Sequence, residues 1–267
     1  MSRSCTRRCA VASLAFVAVV AAACSSSSTS PTTTPTTSPR LSGSITVSAA
    51  SSLTATFTTL ATGFRVLHPA TAVNFNFGSS GALATQIVSG APADVFASAS
   101  PSDMATVQAA HLIAGKPVTF ARNRLEIVVK PGNPLGIHSL ADLTKAAVVA
   151  ICVSTAPCGS TAEEALSRAG VKLATSKVSL GANVDATLAQ VTSGDADAAI
   201  VYITNAVTVG SQGVAVPIPP SQNVTTSYPI GVIAATTDRP LASAWVAYVR
   251  GPVGQAALLR AHFLPPG

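Results

Sequence analysis

Along most of the chain, short runs with strand-like patterning alternate with stretches whose apolar residues return at helical spacing. Ile45-Thr46-Val47 is followed by Leu53, Phe57, Leu60, Ala61 and Phe64, which share one helix face. Val73-Asn74-Phe75-Asn76-Phe77 alternates strictly and turns helical at Ala82 and Leu83. Val148, Val149, Ala150 and Ile151 form a buried-strand run, and Thr161-Ala162-Glu163-Glu164-Ala165-Leu166 then reads as a helix start with its acids in the first turn. Val184, Leu188 and Val191 mark another helical stripe. A last helical region over 241–250 carries the single tryptophan, Trp245, as a packing residue. Strands and helices in alternation predict an α/β fold.

The junctions between these patterns are built from small residues: Ala49-Ala50-Ser51-Ser52, Gly78-Ser79-Ser80-Gly81, Pro157-Cys158-Gly159-Ser160 and Gly181-Ala182-Asn183. In α/β folds ligands collect where strands end and helices begin, because helix N-termini offer unpaired N–H groups and a partial positive charge. An anion is the ligand such a place suits. Ser52 and Ser80 can donate hydroxyl protons to it, and Gly78 and Gly81 leave room for its approach. The competing reading is that both serines are ordinary helix N-caps.

Composition narrows the function classes. Hydrophobic residues make up 48% of 267, enough for a substantial core, and charged residues only 10%. No cluster of Lys or Arg occurs within the body, which argues against a nucleic-acid partner. Hydrolase and dinucleotide signatures are missing, and His68, His111, His138 and His262 are scattered without metal-ligand spacing, so neither an enzyme nor a bound metal is expected. Glu163-Glu164 and Asp195/Asp197 read as solvated structure. No cofactor is implied.

The N-terminus bears a basic start, an apolar run over 10–20 and then Ala21-Ala22-Ala23-Cys24, the pattern of a lipoprotein signal peptide over 1–23 with lipidation at Cys24. Loss of Arg3, Arg7 and Arg8 leaves 13 of the 16 basic residues against 10 acidic ones, so the formal charge of +6 falls to +3. Residues 25–39 are only Ser, Thr and Pro, which makes 24–40 a lipidated tether. The folded body is therefore expected outside the cytoplasmic membrane, held to its outer face. There Cys152 and Cys158 would form one disulfide, contributing about 2 kcal/mol by loop entropy, with two free thiols as the alternative.

Read together, AASSLT (49–54), FGSSGALATQI (77–87), GAPADVF (90–96), PCGSTAEEAL (157–166), DADAAIVY (195–202) and YPIGVI (228–233) resemble the molybdate-binding proteins of bacterial ABC importers over about 45–263. The resemblance implies a two-lobed type II periplasmic-binding-protein fold, each lobe a mixed sheet flanked by helices, joined by two crossing strands and closing on an oxyanion. Lobe I would comprise 41–122 and 227–267, and lobe II 123–226. It further implies that molybdate, and equally tungstate, is held by the hydroxyls of Ser52, Ser80 and Tyr202 and by main-chain N–H groups at Ser52, Cys158 and Val184. Ser51 competes with Ser52, since the family pattern has alanine at position 51. Asp94 is expected to be structural. The protein would act as a monomer that delivers its anion to a membrane permease. A sulfate or other oxyanion receptor, or a surface lipoprotein with a vestigial pocket, are the other readings.

Overall fold

A computed structural model describes residues 40–267. The signal peptide, Cys24 and all but the last residue of the tether lie outside the described residues. The strand β1 (Gly43–Ala50) buries Ile45, Val47, Ala49 and Ala50 and runs parallel to β2 (Thr71–Gly78) on one side and β3 (Val95–Ala97) on the other. A 3-10 turn over Ser51–Leu53 leads into α1 (Thr54–Leu67), and α2 (Ser80–Val88) connects β2 to β3. The α1 stripe is the one the spacing predicts: Phe57, Leu60 and Phe64 are buried, with Phe57 and Phe64 edge-on to Trp245 at 5.6 and 5.5 Å between ring centroids. Trp245 belongs to α7 (Arg239–Arg250), which packs with α8 (Pro252–Arg260) over this sheet. Asp94 is structural: its carboxylate accepts from Thr46 N at 2.7 Å and Thr236 Oγ1 at 2.5 Å, tying β1 to the segment after the last strand.

After α3 (Pro101–Ala109) comes β4 (Ile113–Val129), 17 residues long, whose two portions serve two sheets. Its first portion pairs antiparallel with β9 (Thr225–Ile233), from Ile113↔Ile233 to Arg124↔Thr225. Its last five residues pair antiparallel with β7 (Ala198–Tyr202) and, in part, with β8 (Val214–Pro217) on the other side. β5 (Val149–Cys152) lies parallel between β7 and β6 (Val178–Gly181). The strand order is β2-β1-β3-β9-β4-β7-β5-β6, with β8 on β4. This is a two-lobed α/β fold in which mixed sheets flanked by helices are joined by β4 and β9.

Separate cores stabilise the lobes. Phe57, Phe64, Phe120 and Trp245 anchor one cluster; Ile127, Val149, Ile200 and Val201 anchor the other, covered by α4 (Pro157–Arg168) and α5 (Val184–Thr192). The second helix start differs from expectation. It begins at Pro157, four residues before Thr161, so Glu163 and Glu164 fall in the second turn. Proline's fixed φ and missing N–H suit the first helical position, and the small residues after it are the helix rather than its approach. Asp197 is likewise more than solvated structure. It pairs with Lys130 Nζ at 2.8 Å and accepts from the N–H groups of Ala147 and Val148.

Candidate anion-binding site

Four helical N-termini converge where the lobes meet: the 3-10 turn after β1, α2 after β2, α4 after β5 and α5 after β6. Between them lies a small cavity, with about 200 Å³ of empty space including its opening to solvent. Ser52, Ser80, Cys158, Val184 and Tyr202 all line it, as do Ser51 and Gly78, and among the described residues no lining residue is charged. Five residues spread over 150 positions are thus brought to one place by strand ends in two lobes.

Three of the four helix starts at this cavity have no side-chain cap. Ser79 is the N-cap of α2 but its side chain makes no capping bond, and the N-caps of the 3-10 turn and α4, Ala50 and Ala156, cannot. By contrast Ser100 caps α3 and Asp238 caps α7 through their side chains, and neither lines the cavity. At α5 the Asn183 side chain accepts from Ala186 N, which leaves the first helical N–H, that of Val184, to other use. Uncapped first-turn N–H groups are obligatory donors in search of an acceptor.

Neither serine is a cap. Ser80 is 1% exposed, and its Oγ accepts from Ala99 N at 2.9 Å. Ser52 Oγ lies 2.9 Å from Tyr228 Oη. Tyr202 ends β7, fully buried, and its Oη has no hydrogen-bond partner among the described residues. Burial pushes the phenols of both Tyr202 and Tyr228 above the ordinary tyrosine range, so each keeps its proton and can donate. An unpartnered buried hydroxyl costs about 1–3 kcal/mol unless a ligand accepts from it.

Gly81 departs from expectation. It does not line the cavity; a Cβ there would stand 2.3 Å from the carbonyl oxygen of Thr155, so its smallness admits the other lobe rather than an anion. Gly78 does line the cavity. Cys152 and Cys158 are joined by a disulfide that ties the end of β5 to the start of α4. The residues that sequence reasoning missed are Asn123 and Tyr228, which contact the serine side of the site from β4 and β9. Tyr228 sits in a quoted motif, yet nothing local marks it, because its partners are 176 and 105 positions away.

The family profile described as bacterial extracellular solute-binding protein matches residues 45–264. The molybdate-binding protein ModA of Mycobacterium tuberculosis is 38% identical over 221 residues, 82% of this chain and 84% of that protein. Among solved structures, the periplasmic molybdate-binding protein of Azotobacter vinelandii superposes with a TM-score of 0.74 at 22% identity, covering 84% of this chain and all of that one. The sulfate-binding protein SubI of Mycobacterium tuberculosis gives a TM-score of 0.73 at 19% identity, covering 84% of this chain and 87% of that one. At these identities the two structures speak to the fold.

Proposed function

The chain belongs to the bacterial extracellular solute-binding protein family, and from that premise we propose that it captures molybdate outside the cytoplasmic membrane and delivers it to an ABC-type importer. The observation that carries this reading is the cavity's donor set: two serine hydroxyls, one buried unpartnered phenol and open helix N-termini, with no charged residue in the lining. The 38% identical ModA relative supports molybdate in particular.

Each residue has a role in this reading. Ser52, Ser80 and Tyr202 donate from side chains to the oxyanion, and the main-chain N–H groups of Ser52, Cys158 and Val184 complete its shell. The disulfide braces the helix start that carries Cys158. A dianion bound by neutral donors needs no counter-charge when helix termini and aligned N–H groups face it. Hydrogen phosphate differs, because its remaining proton requires an acceptor and the lining offers no carboxylate. Tungstate, of the same charge and tetrahedral shape, is a second ligand. Lipidated Cys24 and the tether hold the monomeric protein near its permease, and lobes bounded at 41–122 with 227–267 and at 123–226 close around the anion.

Calorimetric titration of the purified protein with molybdate, tungstate, sulfate and phosphate at matched ionic strength tests the proposal. Binding of molybdate and tungstate with phosphate and sulfate silent is expected. Equal binding of sulfate would make the protein a general oxyanion receptor, and silence for all four would end the reading.

A further inference from the structure

The two strands that cross between the lobes meet through Asn123 and Tyr228, side chains that do not line the cavity but reach Ser52, which does. Asn123, on β4, is fully buried, and its Oδ1 accepts from Arg124 N at 2.9 Å. A backbone N–H can only donate, so the atom facing it must be the amide oxygen, and the amide nitrogen faces the other way. That nitrogen donates to Tyr228 Oη at 3.2 Å and Thr204 Oγ1 at 2.9 Å.

The bonds that follow run along two branches. Tyr228 Oη receives from Asn123, which leaves its own proton available to Ser52 Oγ, 2.9 Å away. With Tyr228 donating, Ser52 Oγ receives, and its own proton is free for the cavity it lines. On the second branch Thr204 donates to Asn205 Oδ1 at 3.3 Å, and Asn205 Nδ2 donates to Asp185 Oδ1 at 2.6 Å. Asp185 follows Val184 in the first turn of α5. One amide therefore sends donors outward along two branches, one ending in a carboxylate of the far lobe and the other in the serine.

Resting on the molybdate reading above, we propose that Asn123 and Tyr228 are positioning residues that orient the Ser52 hydroxyl so that its proton is directed into the cavity rather than toward Tyr228. The same crossing strand handles the other serine. Thr226, two residues before Tyr228, donates to Ala99 O at 2.8 Å, and Ala99 N donates to Ser80 Oγ. Side chains two apart share a strand face, so β9 presents Thr226 and Tyr228 together to the two serines' supports. A hydroxyl free to rotate spends part of its time turned the wrong way; in a hydroxyl that already receives a bond the proton is kept away from the incoming donor, which narrows that rotation.

The test is a set of double-mutant cycles read by calorimetric titration with sodium molybdate. Tyr228→Phe removes the donor to Ser52 and is expected to weaken binding about tenfold. In a Ser52→Ala background the same change is expected to cost less than about twofold, whereas in a Ser80→Ala background it keeps its full cost. A merely structural role would weaken binding by the same factor in all three. Asn123→Asp reverses the relay, since a carboxylate accepts from Tyr228 and Ser52 must then donate to the phenol oxygen. It is expected to cost as much as Ser52→Ala, with no further loss when the two are combined. Equal losses for Tyr228→Phe in every background, with molybdate still bound by the unmodified protein, would overturn this inference alone. Failure of the unmodified protein to bind molybdate would overturn the functional reading and this inference with it. Tyr228→Phe preserves shape and packing, so the cycle remains readable if Asn123→Asp does not fold.

Discussion

Gly81 of α2 and Thr155 of the loop before α4 touch across the two lobes: a Cβ at position 81 would lie 2.3 Å from the Thr155 carbonyl oxygen, inside any real contact. The same loop carries Val153, whose carbonyl stands 2.0 Å from the Cβ position of Gly159, so it has little freedom to retreat. The approach of the lobes around the cavity thus depends on two glycines packed against one stretch of backbone.

Gly81→Ala should therefore separate binding from stability. Alanine improves helix propensity by up to about 1 kcal/mol, so the ligand-free melting temperature should hold or rise. The added methyl group holds the lobes apart, and molybdate affinity should fall at least about tenfold, a loss of roughly 1.4 kcal/mol. Calorimetry beside a thermal melt checks both halves. Unchanged affinity would show that this contact plays no part in closure.

Tyr202→Phe should act with opposite signs on the two properties. The phenol oxygen is buried and unpartnered, so its removal should leave the ligand-free protein as stable or more stable by about 1 kcal/mol. With the donor gone, anion affinity should fall about 5- to 150-fold, equivalent to 1–3 kcal/mol. A stability loss with full affinity would place the hydroxyl in the packing rather than in the site.

Ser80→Ala is expected to weaken binding over the same range, for a compound reason. The change removes the donor proposed for the anion and strands Ala99 N–H, whose acceptor is Ser80 Oγ. Both binding and melting temperature should therefore drop, in contrast to the tyrosine variant. A melt and a titration on the same sample distinguish the two patterns.

The α/β alternation, the α1 stripe and the small-residue junctions were legible because each is a local pattern of period 2 or 3.6. All five residues picked for the anion lie together because strand-to-helix junctions in such a fold converge by topology, so a junction motif carries its own location. Gly81 was misread for the same reason: sequence shows that a side chain is excluded but not which neighbour excludes it. Asn123 and Tyr228 carry no local signal, since their meaning resides in bonds across 81 to 176 positions. The early start of α4 was missed because Pro157-Cys158-Gly159-Ser160 read as a junction ahead of the helix, although proline is at home in a first helical turn.

The Cys152–Cys158 bridge gives a further expectation. Its short loop should contribute about 2 kcal/mol through chain entropy. The Cys152→Ser/Cys158→Ser variant should then melt roughly 4–8 °C lower, by the usual scaling for a domain of this size. Its anion affinity should also fall, because the helix start bearing Cys158 loses its tie to β5. Alkylation of the native protein without reductant, followed by mass spectrometry, checks the bridge directly: modification of both thiols would reject it.

The acid dependence of stability follows from Asp103, a partly buried carboxyl near the start of α3. Burial raises it from the ordinary 3.8 to about 6. The folded protein then binds a proton more readily than the unfolded chain between about pH 6 and 3.8, so this group makes stability rise as pH falls through that window. Burial moves Asp185 and Glu126 in the same direction. Asp142 and Asp197 are held below the ordinary range, chiefly by hydrogen bonds from Lys145 and Lys130, and their contribution is present above about 3.8 and lost only below it. Asp103→Asn removes a charge that the fold disfavours at neutral pH. It should raise the melting temperature at pH 7.5 and reduce the gain seen on going from pH 7 to pH 5. Melting curves of both proteins across pH 4.5–8 give the answer by difference, which cancels the other titrating groups. A constant offset between the two curves would mean that Asp103 titrates alike in the folded and unfolded chains, and that its surroundings are wetter than its burial implies.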